Sequence, residues 1–262
     1  MVDSLNFREQ GSGHTVILIH GFPMNQQVWA EFAEKLSESF HVVTLDLPGF
    51  GKSPALGDKA TLEDVAGTVL DWIHEKKYSQ PVIVGHSLGG YITLALAEQD
   101  NDIMAGMCLF HSTALADSDE KKQSRNKVLD FITNQGVQAF TSNFIGQLYA
   151  DPQHSSITKV KTIAVLSSKE TVMGYTRAMR DRKDRTDVLR TFHRPILFLA
   201  GEKDPGIPPE TIHQQAALVG QAEVVILPEV AHMGMFESEG QCLKKISNFI
   251  EKCAVTSRFG KV

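Results

Sequence analysis

One serine lies between glycines at a spacing that can make its hydroxyl a nucleophile. Ser87 stands in the sequence GHSLG at positions 85–89, after an apolar run at 82–84 and before helix-forming residues at 91–99. This order predicts a strand, a sharp turn and a helix, with glycines that permit a strained backbone and keep neighbouring side chains away. The positive end of the helix dipole would favour negative charge at the same place. The pattern is that of a nucleophile elbow.

A serine hydroxyl is a poor nucleophile at neutral pH, so it needs a base and an acid that orients the base. His232 follows an apolar run at 222–228, and Asp204 follows another at 195–201. Side chains at the carboxyl ends of parallel strands meet at one edge of a sheet, and the order Ser87, Asp204, His232 fits this arrangement. We predict His232 as the base and Asp204 as the acid, with Glu202 as a possible substitute for Asp204.

Acyl transfer at a serine also requires two backbone N–H groups that stabilise an oxyanion. The first is expected from Leu88, the residue after the nucleophile. The second is expected from the loop after the apolar run at 15–20, where Phe22 can donate its N–H and Pro23 has none to give.

The elements around these residues alternate. Apolar runs of strand length at 15–20, 41–47, 82–84 and 103–110 are separated by helical patterns, and the runs at 195–201 and 222–228 resume the alternation. We therefore predict an α/β fold with a doubly wound, mostly parallel sheet. Residues 112–190 lack strand-like runs and are expected to form a helical cap, while 1–111 and 191–262 form the core.

The predicted cap carries an excess of about four positive charges in a chain whose net charge is −5. Two explanations stay open: the cap binds an anionic substrate, or these residues cover a solvated helix face. The cationic residues in question are Arg125, Lys127, Arg177 and Arg180. Apolar residues at helical spacing in the cap either line an acyl pocket or pack onto the core; they are Phe131, Phe140, Phe144, Ile145 and Leu148.

Composition excludes several classes of partner. A pI near 6.1 and the lack of a long basic run argue against nucleic-acid binding. The sequence contains neither a signal-like amino terminus nor an apolar run of membrane-spanning length, so we expect no membrane contact. Three cysteines without C-x-x-C spacing predict reduced thiols in a cytoplasmic protein. The histidines lack metal-ligand spacing, so neither a metal nor another cofactor is expected.

Several motifs together resemble the α/β-hydrolase fold superfamily. They are HGFP at 20–23, DLPGFGKS at 46–53, GHSLGG at 85–90, GEKD at 201–204 and AHM at 231–233. Within the superfamily the chain is most similar to small bacterial serine carboxylesterases and 3-oxoadipate enol-lactonases, in which a helical cap lies where 112–190 falls here. The resemblance implies acyl-enzyme rather than alkyl-enzyme chemistry, because the relatives that form alkyl-enzymes carry aspartate where this chain has Ser87. It also implies a sheet one strand shorter than is common, beginning at 5–9.

These observations predict a hydrolase of small-molecule carboxylic esters that forms an acyl-enzyme on Ser87 and acts as a monomer or homodimer. A lactonase, a thioesterase or a carbon–carbon hydrolase would use the same three residues. A ligand receptor or scaffold of the same fold with little turnover is the alternative from another class.

Overall fold

The computed structural model describes residues 5–57 and 59–259, and within them seven strands form one sheet. The strand order is β1-β3-β2-β4-β5-β6-β7; β1 is antiparallel to β3 and every other neighbouring pair is parallel. This confirms the predicted α/β fold with a mostly parallel sheet. The strands are β1 (Phe7–Gln10), β2 (Thr15–Ile19), β3 (His41–Leu45), β4 (Val82–His86), β5 (Gly106–Phe110), β6 (Ile196–Gly201) and β7 (Ala222–Leu227).

Helices connect the strands and cover both faces of the sheet. Short 3-10 helices lie at Gln26–Trp29 and Ile145–Leu148. The α-helices of the described chain are α1 (Ala30–Leu36), α2 (Leu62–Lys76), α3 (Leu88–Gln99), α4 (Asp119–Phe144), α5 (Ile157–Ala164), α6 (Lys169–Arg180), α7 (Thr186–Thr191), α8 (Pro209–Ala216), α9 (Gly234–Glu237) and α10 (Glu239–Phe259).

The continuous apolar runs of the sequence are strands buried on both faces. Because successive side chains of a strand point in opposite directions, β2 sends alternate residues into two apolar clusters. Ile17 and Ile19 pack with residues of α2 and α3, whereas Val16 and Leu18 pack with residues of α1 and α10. The edge strand β1 is mostly exposed and carries polar residues.

Two helices differ from the sequence prediction. Helix α3 begins at Leu88, three residues before the predicted start at Tyr91, because the turn is completed at Ser87 itself. Helix α4 continues through the predicted turn at 134–136, and Gly136 (φ 82°, ψ 171°) interrupts its helical geometry. Gly136 adopts this conformation without the steric cost that a Cβ would bring, so the turn signal marks a break within one helical element.

The segment between β5 and β6 contains helices α4 to α7, which we call the inserted helices, and no strand among its residues, all of which are described. Arg185, at the start of α7, has a nearly buried side chain that pairs with Glu98 at 3.1 Å and Glu63 at 2.5 Å. These ion pairs tie the inserted helices to α2 and α3. The division into a core and a cap at 112–190 remains a prediction.

Two further observations bear on composition. Cys108, Cys242 and Cys253 are all buried. Among the helices in 5–57 and 59–259, none combines the length and the apolar character needed to cross a membrane.

Candidate active site

Ser87 occupies a strained turn between β4 and α3. Its backbone has φ 51° and ψ −111°, and its N–H donates to the Phe110 carbonyl of the neighbouring strand at 2.9 Å. A Cβ at Gly85 would lie 2.4 Å from the Gly89 carbonyl oxygen, and a Cβ at Gly89 would lie 2.4 Å from that of Ile19. Both positions therefore require glycine, because the strand and the helix approach too closely for a side chain.

Asp204 and His232 form a direct hydrogen bond. Nδ1 of His232 lies 2.7 Å from Oδ2 of Asp204, whose side chain is fully buried. The other carboxylate oxygen accepts the backbone N–H groups of Gly206 and Ile207 at 2.9 and 3.1 Å. Burial by itself would raise the pKa of Asp204, but attraction to the protonated form of His232 and the hydrogen bonds from both imidazoles outweigh it and hold the pKa well below its usual value. Asp204 is therefore an ionised acceptor.

The backbone of His232 is also held on both sides. Its N–H donates to the Leu148 carbonyl at 2.9 Å, and its carbonyl accepts Nε2–H of His86 at 2.9 Å. Burial lowers the pKa of His86 well below its ordinary value, so this imidazole is neutral. Because its one proton lies on Nε2, Nδ1 is left as a buried acceptor without a hydrogen-bond partner. His86 thus orients the backbone of His232.

His111 provides a second imidazole on the same carboxylate. Its Nδ1 lies 3.1 Å from Oδ2 of Asp204, and its Nε2 accepts the Gly234 N–H at 3.2 Å. Since Nε2 is an acceptor, the proton of the neutral ring is on Nδ1, which donates to Asp204. The Gly201 N–H, 3.3 Å from this Nδ1, is then a close contact. Burial lowers the pKa of His111 against the opposing effect of Asp204.

The loop that carries Phe22 is oriented by His20. Nδ1–H of His20 donates to the Gly21 carbonyl at 3.0 Å, while its Nε2 accepts the Leu47 N–H at 3.0 Å. The Gly21 carbonyl also accepts the Met24 N–H at 3.0 Å. The Gly21–Phe22 peptide is planar, so anchoring its carbonyl directs the Phe22 N–H to the opposite side. Burial lowers the pKa of His20 to about 4, which keeps it in the neutral form that this geometry requires.

One cavity of about 320 Å³ contains Ser87, Asp204 and His232 together with Phe22. Leu88 follows Ser87 as the first residue of α3, where its N–H has no acceptor within the helix. The rest of the lining combines apolar and charged side chains. The residues are Tyr91, Val128, Phe144, Gln147, Leu148, Met179, Pro205, Gly206 and Ile207, together with Asp117, Lys121, Ser124 and Arg125.

Comparison with known families identifies the fold. A family model described as alpha/beta hydrolase fold matches residues 14–239. The chain belongs to the α/β-hydrolase fold family. It is 29% identical over 257 residues to a pimeloyl-[acyl-carrier protein] methyl ester esterase of Vibrio cholerae, covering 94% of this chain and 98% of that one. It is 27% identical over 241 residues to an (E)-2-((N-methylformamido)methylene)succinate hydrolase of Acinetobacter baylyi, covering 87% of each.

Solved structures of this α/β-hydrolase fold are similar over nearly the whole chain. A thermophilic esterase from Thermogutta terrifontis, solved with malate bound, superposes with a TM-score of 0.89 and 29% identity, covering 95% of this chain and 93% of that one. An enol-lactonase from Burkholderia xenovorans superposes with a TM-score of 0.86 and 21% identity over 94% and 96% of the two chains, a likeness that concerns the fold alone.

In this α/β-hydrolase fold, hydrogen bonds distinguish Asp204 from Glu202 as the acid that contacts His232. Glu202 directs its Oε2 to the Glu229 N–H at 3.1 Å and has an exposed side chain, whereas Asp204 bonds His232. Glu202 is thus engaged elsewhere, and Asp204 is the carboxylate beside the histidine.

Sequence reasoning assigned no site contact to His111, yet the structure brings it to Asp204. A signal was available: His111 directly follows β5, and β5 neighbours β6, after which Asp204 lies. Lys121 in the cavity lining was also missed. Of the four cationic residues singled out in the sequence, Arg125 lines the cavity.

The apolar residues singled out between β5 and β6 divide into two groups. Phe144 and Leu148 line the cavity, whereas Phe140 and Ile145 are buried in the apolar clusters and Phe131 is 37% exposed. Helical spacing alone did not distinguish these environments.

His111, Asp204 and His232 are also the described residues whose types and spacing resemble a metal site, with ligand atoms within 4.8 Å of one another. Oδ2 of Asp204 already accepts from both imidazoles, so a metal ion would have to displace two protons. The hydrogen bonds account for the arrangement as an acid–base cluster.

A second cavity of about 280 Å³ lies between the loop at 48–57 and helix α6. It contains none of the predicted site residues and is lined by Tyr175 and Thr171, whose hydroxyls donate to the carbonyls of Pro48 and Gly49. These hydrogen bonds fasten α6 to the core.

Proposed function

We propose that this chain is a serine hydrolase that cleaves carboxylic esters of small molecules through an acyl-enzyme on Ser87. The observation that carries the proposal is the 2.7 Å hydrogen bond between Asp204 and His232 in the cavity that also contains Ser87. A strained serine beside an imidazole–carboxylate pair is the arrangement that activates a hydroxyl at neutral pH.

The hydrogen bonds give each residue a role. Because Nδ1–H of His232 donates to Asp204, the neutral imidazole keeps its Nε2 lone pair to accept the Ser87 proton. Ser87 Oγ attacks the ester carbonyl, and the N–H groups of Phe22 and Leu88 stabilise the oxyanion. His232 then returns the proton to the leaving alcohol. Water attacks the acyl-enzyme by the same steps and releases the acid.

The relatives support an ester as the substrate. The Vibrio cholerae protein is named a methyl ester esterase, and the Thermogutta terrifontis structure is described as an esterase. We extend the proposal to the helices at 112–190, which would act as a cap because residues of α4 and α6 line the same cavity as Ser87, Asp204 and His232.

Labelling with a fluorophosphonate probe tests the proposal without knowledge of the substrate. Peptide mass spectrometry should find one adduct, on Ser87, and the adduct should be lost in Ser87→Ala and His232→Ala. Lys127→Met, a surface change on α4, serves as the control that retains labelling. A folded protein that admits the probe and forms no adduct would contradict the proposal and favour a receptor or scaffold. A labelled protein would then be assayed on esters, lactones and thioesters.

A further inference from the structure

Two cations lie on the face of α4 that lines the active-site cavity. Lys121, Ser124, Arg125 and Val128 have the i, i+3, i+4, i+7 spacing of one helix face, and all four line the cavity. Lysine and arginine in the first turns of a helix are disfavoured by its dipole. Their presence there concentrates positive charge beside the apolar part of the pocket.

The one carboxylate in this part of the cavity wall is already neutralised. Asp117 is 1% exposed at its side chain and accepts from Arg182 Nη1 at 2.6 Å and Arg125 Nε at 2.7 Å. Arg182 is 3% exposed at its side chain, and it also donates to the carbonyls of Leu115 and Met179. Asp117 and Arg182 therefore form an internal pair of opposite charges.

Arg125 and Lys121 add positive charge to the cavity wall in excess of the Asp117–Arg182 pair. Arg125 contacts Asp117 through its Nε–H, so this contact does not use the four N–H bonds of its two terminal Nη groups. Lys121 Nζ donates to the Gly206 carbonyl at 3.1 Å, which accounts for one of its three protons. Partial burial lowers the pKa of Lys121, although its side chain remains exposed to solvent.

The position of Lys121 relates this charge to the proposed chemistry. The Gly206 N–H donates to Oδ1 of Asp204, so Lys121 binds the same short loop that orients the acid. Lys121 and Arg125, which we call the cationic wall, thus line the same cavity as Asp204 and His232. Asp204 is ionised and its charge attracts Lys121, but its carboxylate oxygens accept from the two imidazoles and from backbone N–H groups rather than from the Lys121 ammonium.

We propose that Lys121 and Arg125 bind a carboxylate carried by the substrate, so that the preferred esters are anionic, such as half-esters of dicarboxylic acids. This inference rests on the proposed ester hydrolysis and specifies its substrate class. Ammonium and guanidinium groups form charge-assisted hydrogen bonds with carboxylates, and these are strongest where water is partly excluded. The apolar residues Phe144, Leu148 and Val128 would contact the chain between the ester and the carboxylate.

Matched pairs of substrates test the proposal. The 4-nitrophenyl half-esters of succinate, glutarate and adipate are compared with neutral 4-nitrophenyl esters of the same acyl chain length. A further pair, the butanoate esters of 4-hydroxybenzoate and of 4-hydroxybenzamide, places the carboxylate on the alcohol side. Rates with the Ser87→Ala protein are subtracted as the uncatalysed background. We expect kcat/KM to be about tenfold or more higher for the anionic member of at least one pair.

Variants of Lys121 test whether the preference for anionic over neutral esters depends on the cationic wall. In Lys121→Met the ratio of anionic to neutral kcat/KM should fall about tenfold, mainly through KM, whereas Lys121→Arg should retain it. Lys127→Met removes the same charge from a surface position of the same helix and should leave the ratio unchanged. Because the readout is a ratio, a general loss of activity cancels. A ratio at or below one for every pair, or a preference that survives Lys121→Met, would overturn the proposal.

Failure of the carboxylate site can be separated from failure of ester hydrolysis. If the native protein hydrolyses none of these esters, the proposed function fails, and calorimetric titration of the Ser87→Ala protein still tests binding. The glutarate half-ester should bind at least about tenfold more tightly than the pentanoate ester, and less tightly as salt rises. Equal binding of the two would refute the carboxylate site.

Discussion

His111 and His232 donate to the same oxygen of Asp204, at 3.1 and 2.7 Å. Two donors on one carboxylate oxygen stabilise the ionised form of Asp204. They also fix its orientation, because each imidazole limits rotation of the carboxyl group. His111 is itself held by the Gly234 N–H and is fully buried. It therefore acts on the proposed reaction by positioning Asp204.

Replacing His111 should reduce turnover through Asp204. His111→Ala removes a hydrogen bond to a buried carboxylate, so we expect kcat on a chromogenic ester to fall about tenfold with little change in KM. It should also lower the free energy of unfolding by about 2 kcal/mol. In His111→Asn the amide nitrogen can take the place of Nδ1 and should restore much of kcat. Equal kcat in His111→Ala and the native protein would contradict a positioning role.

Asp204→Asn should be more damaging than any His111 variant. An amide donor in place of the carboxylate favours the His232 tautomer with its proton on Nε2, which cannot accept the Ser87 proton. We expect kcat to fall by about 10³-fold to 10⁴-fold. Circular dichroism should verify that the variant is folded. Glu202→Gln is the matched control, because its carboxylate bonds the Glu229 N–H, and it should retain activity.

His20 variants test the orientation of the proposed oxyanion donor. His20→Asn keeps a donor near the Nδ1 position that bonds the Gly21 carbonyl, whereas His20→Gln keeps an acceptor near the Nε2 position that bonds the Leu47 N–H. If the Phe22 N–H depends on the Gly21 carbonyl, His20→Asn should retain more kcat than His20→Gln. We expect a difference of about tenfold, measured on one neutral ester. The reverse order would show that the Leu47 contact matters more.

Buried neutral histidines should make the protein less stable in mild acid. The pKa of His20 is about 4 in the folded protein against an ordinary value of 6.5, so the unfolded chain binds more protons between these values. The stabilisation is complete above pH 6.5 and is lost as pH falls towards 4. His20 alone should account for about 2 kcal/mol between pH 7.5 and pH 5. The lowered pKa values of His86 and His111 act in the same direction.

Urea unfolding of the native protein and of His20→Gln at several pH values checks this linkage. In His20→Gln the free energy of unfolding should decrease less steeply as the pH falls. The difference in slope should correspond to the uptake of up to one fewer proton on unfolding. Parallel curves for the two proteins would mean that His20 does not remain neutral in the folded state. His213, which lies on the surface helix α8, serves as the control in His213→Gln.

Local patterns in the sequence were sufficient to predict the α/β fold and to propose much of the candidate site. Continuous apolar runs predicted the parallel strands because a strand covered on both faces needs no polar side. The glycines around Ser87 predicted the elbow because they are short-range requirements of one turn. Asp204 and His232 were selected as candidates because both lie a few residues after strands, and strand ends of a parallel sheet converge.

Contacts between distant segments could not be obtained in this way. Asp117 meets Arg182 across 65 positions, and His111 meets Asp204 across 93, so both contacts depend on how the strands and inserted helices pack. Helical spacing identified the apolar faces between β5 and β6, but packing determined that Phe144 lines the cavity while Phe131 meets solvent. Types and spacing of residues therefore predicted the proposed chemistry. Only the tertiary structure revealed that His111 also donates to Asp204 and that Lys121 and Arg125 line the cavity. Sequence periodicity shows which residues share a face, but it does not show what that face contacts.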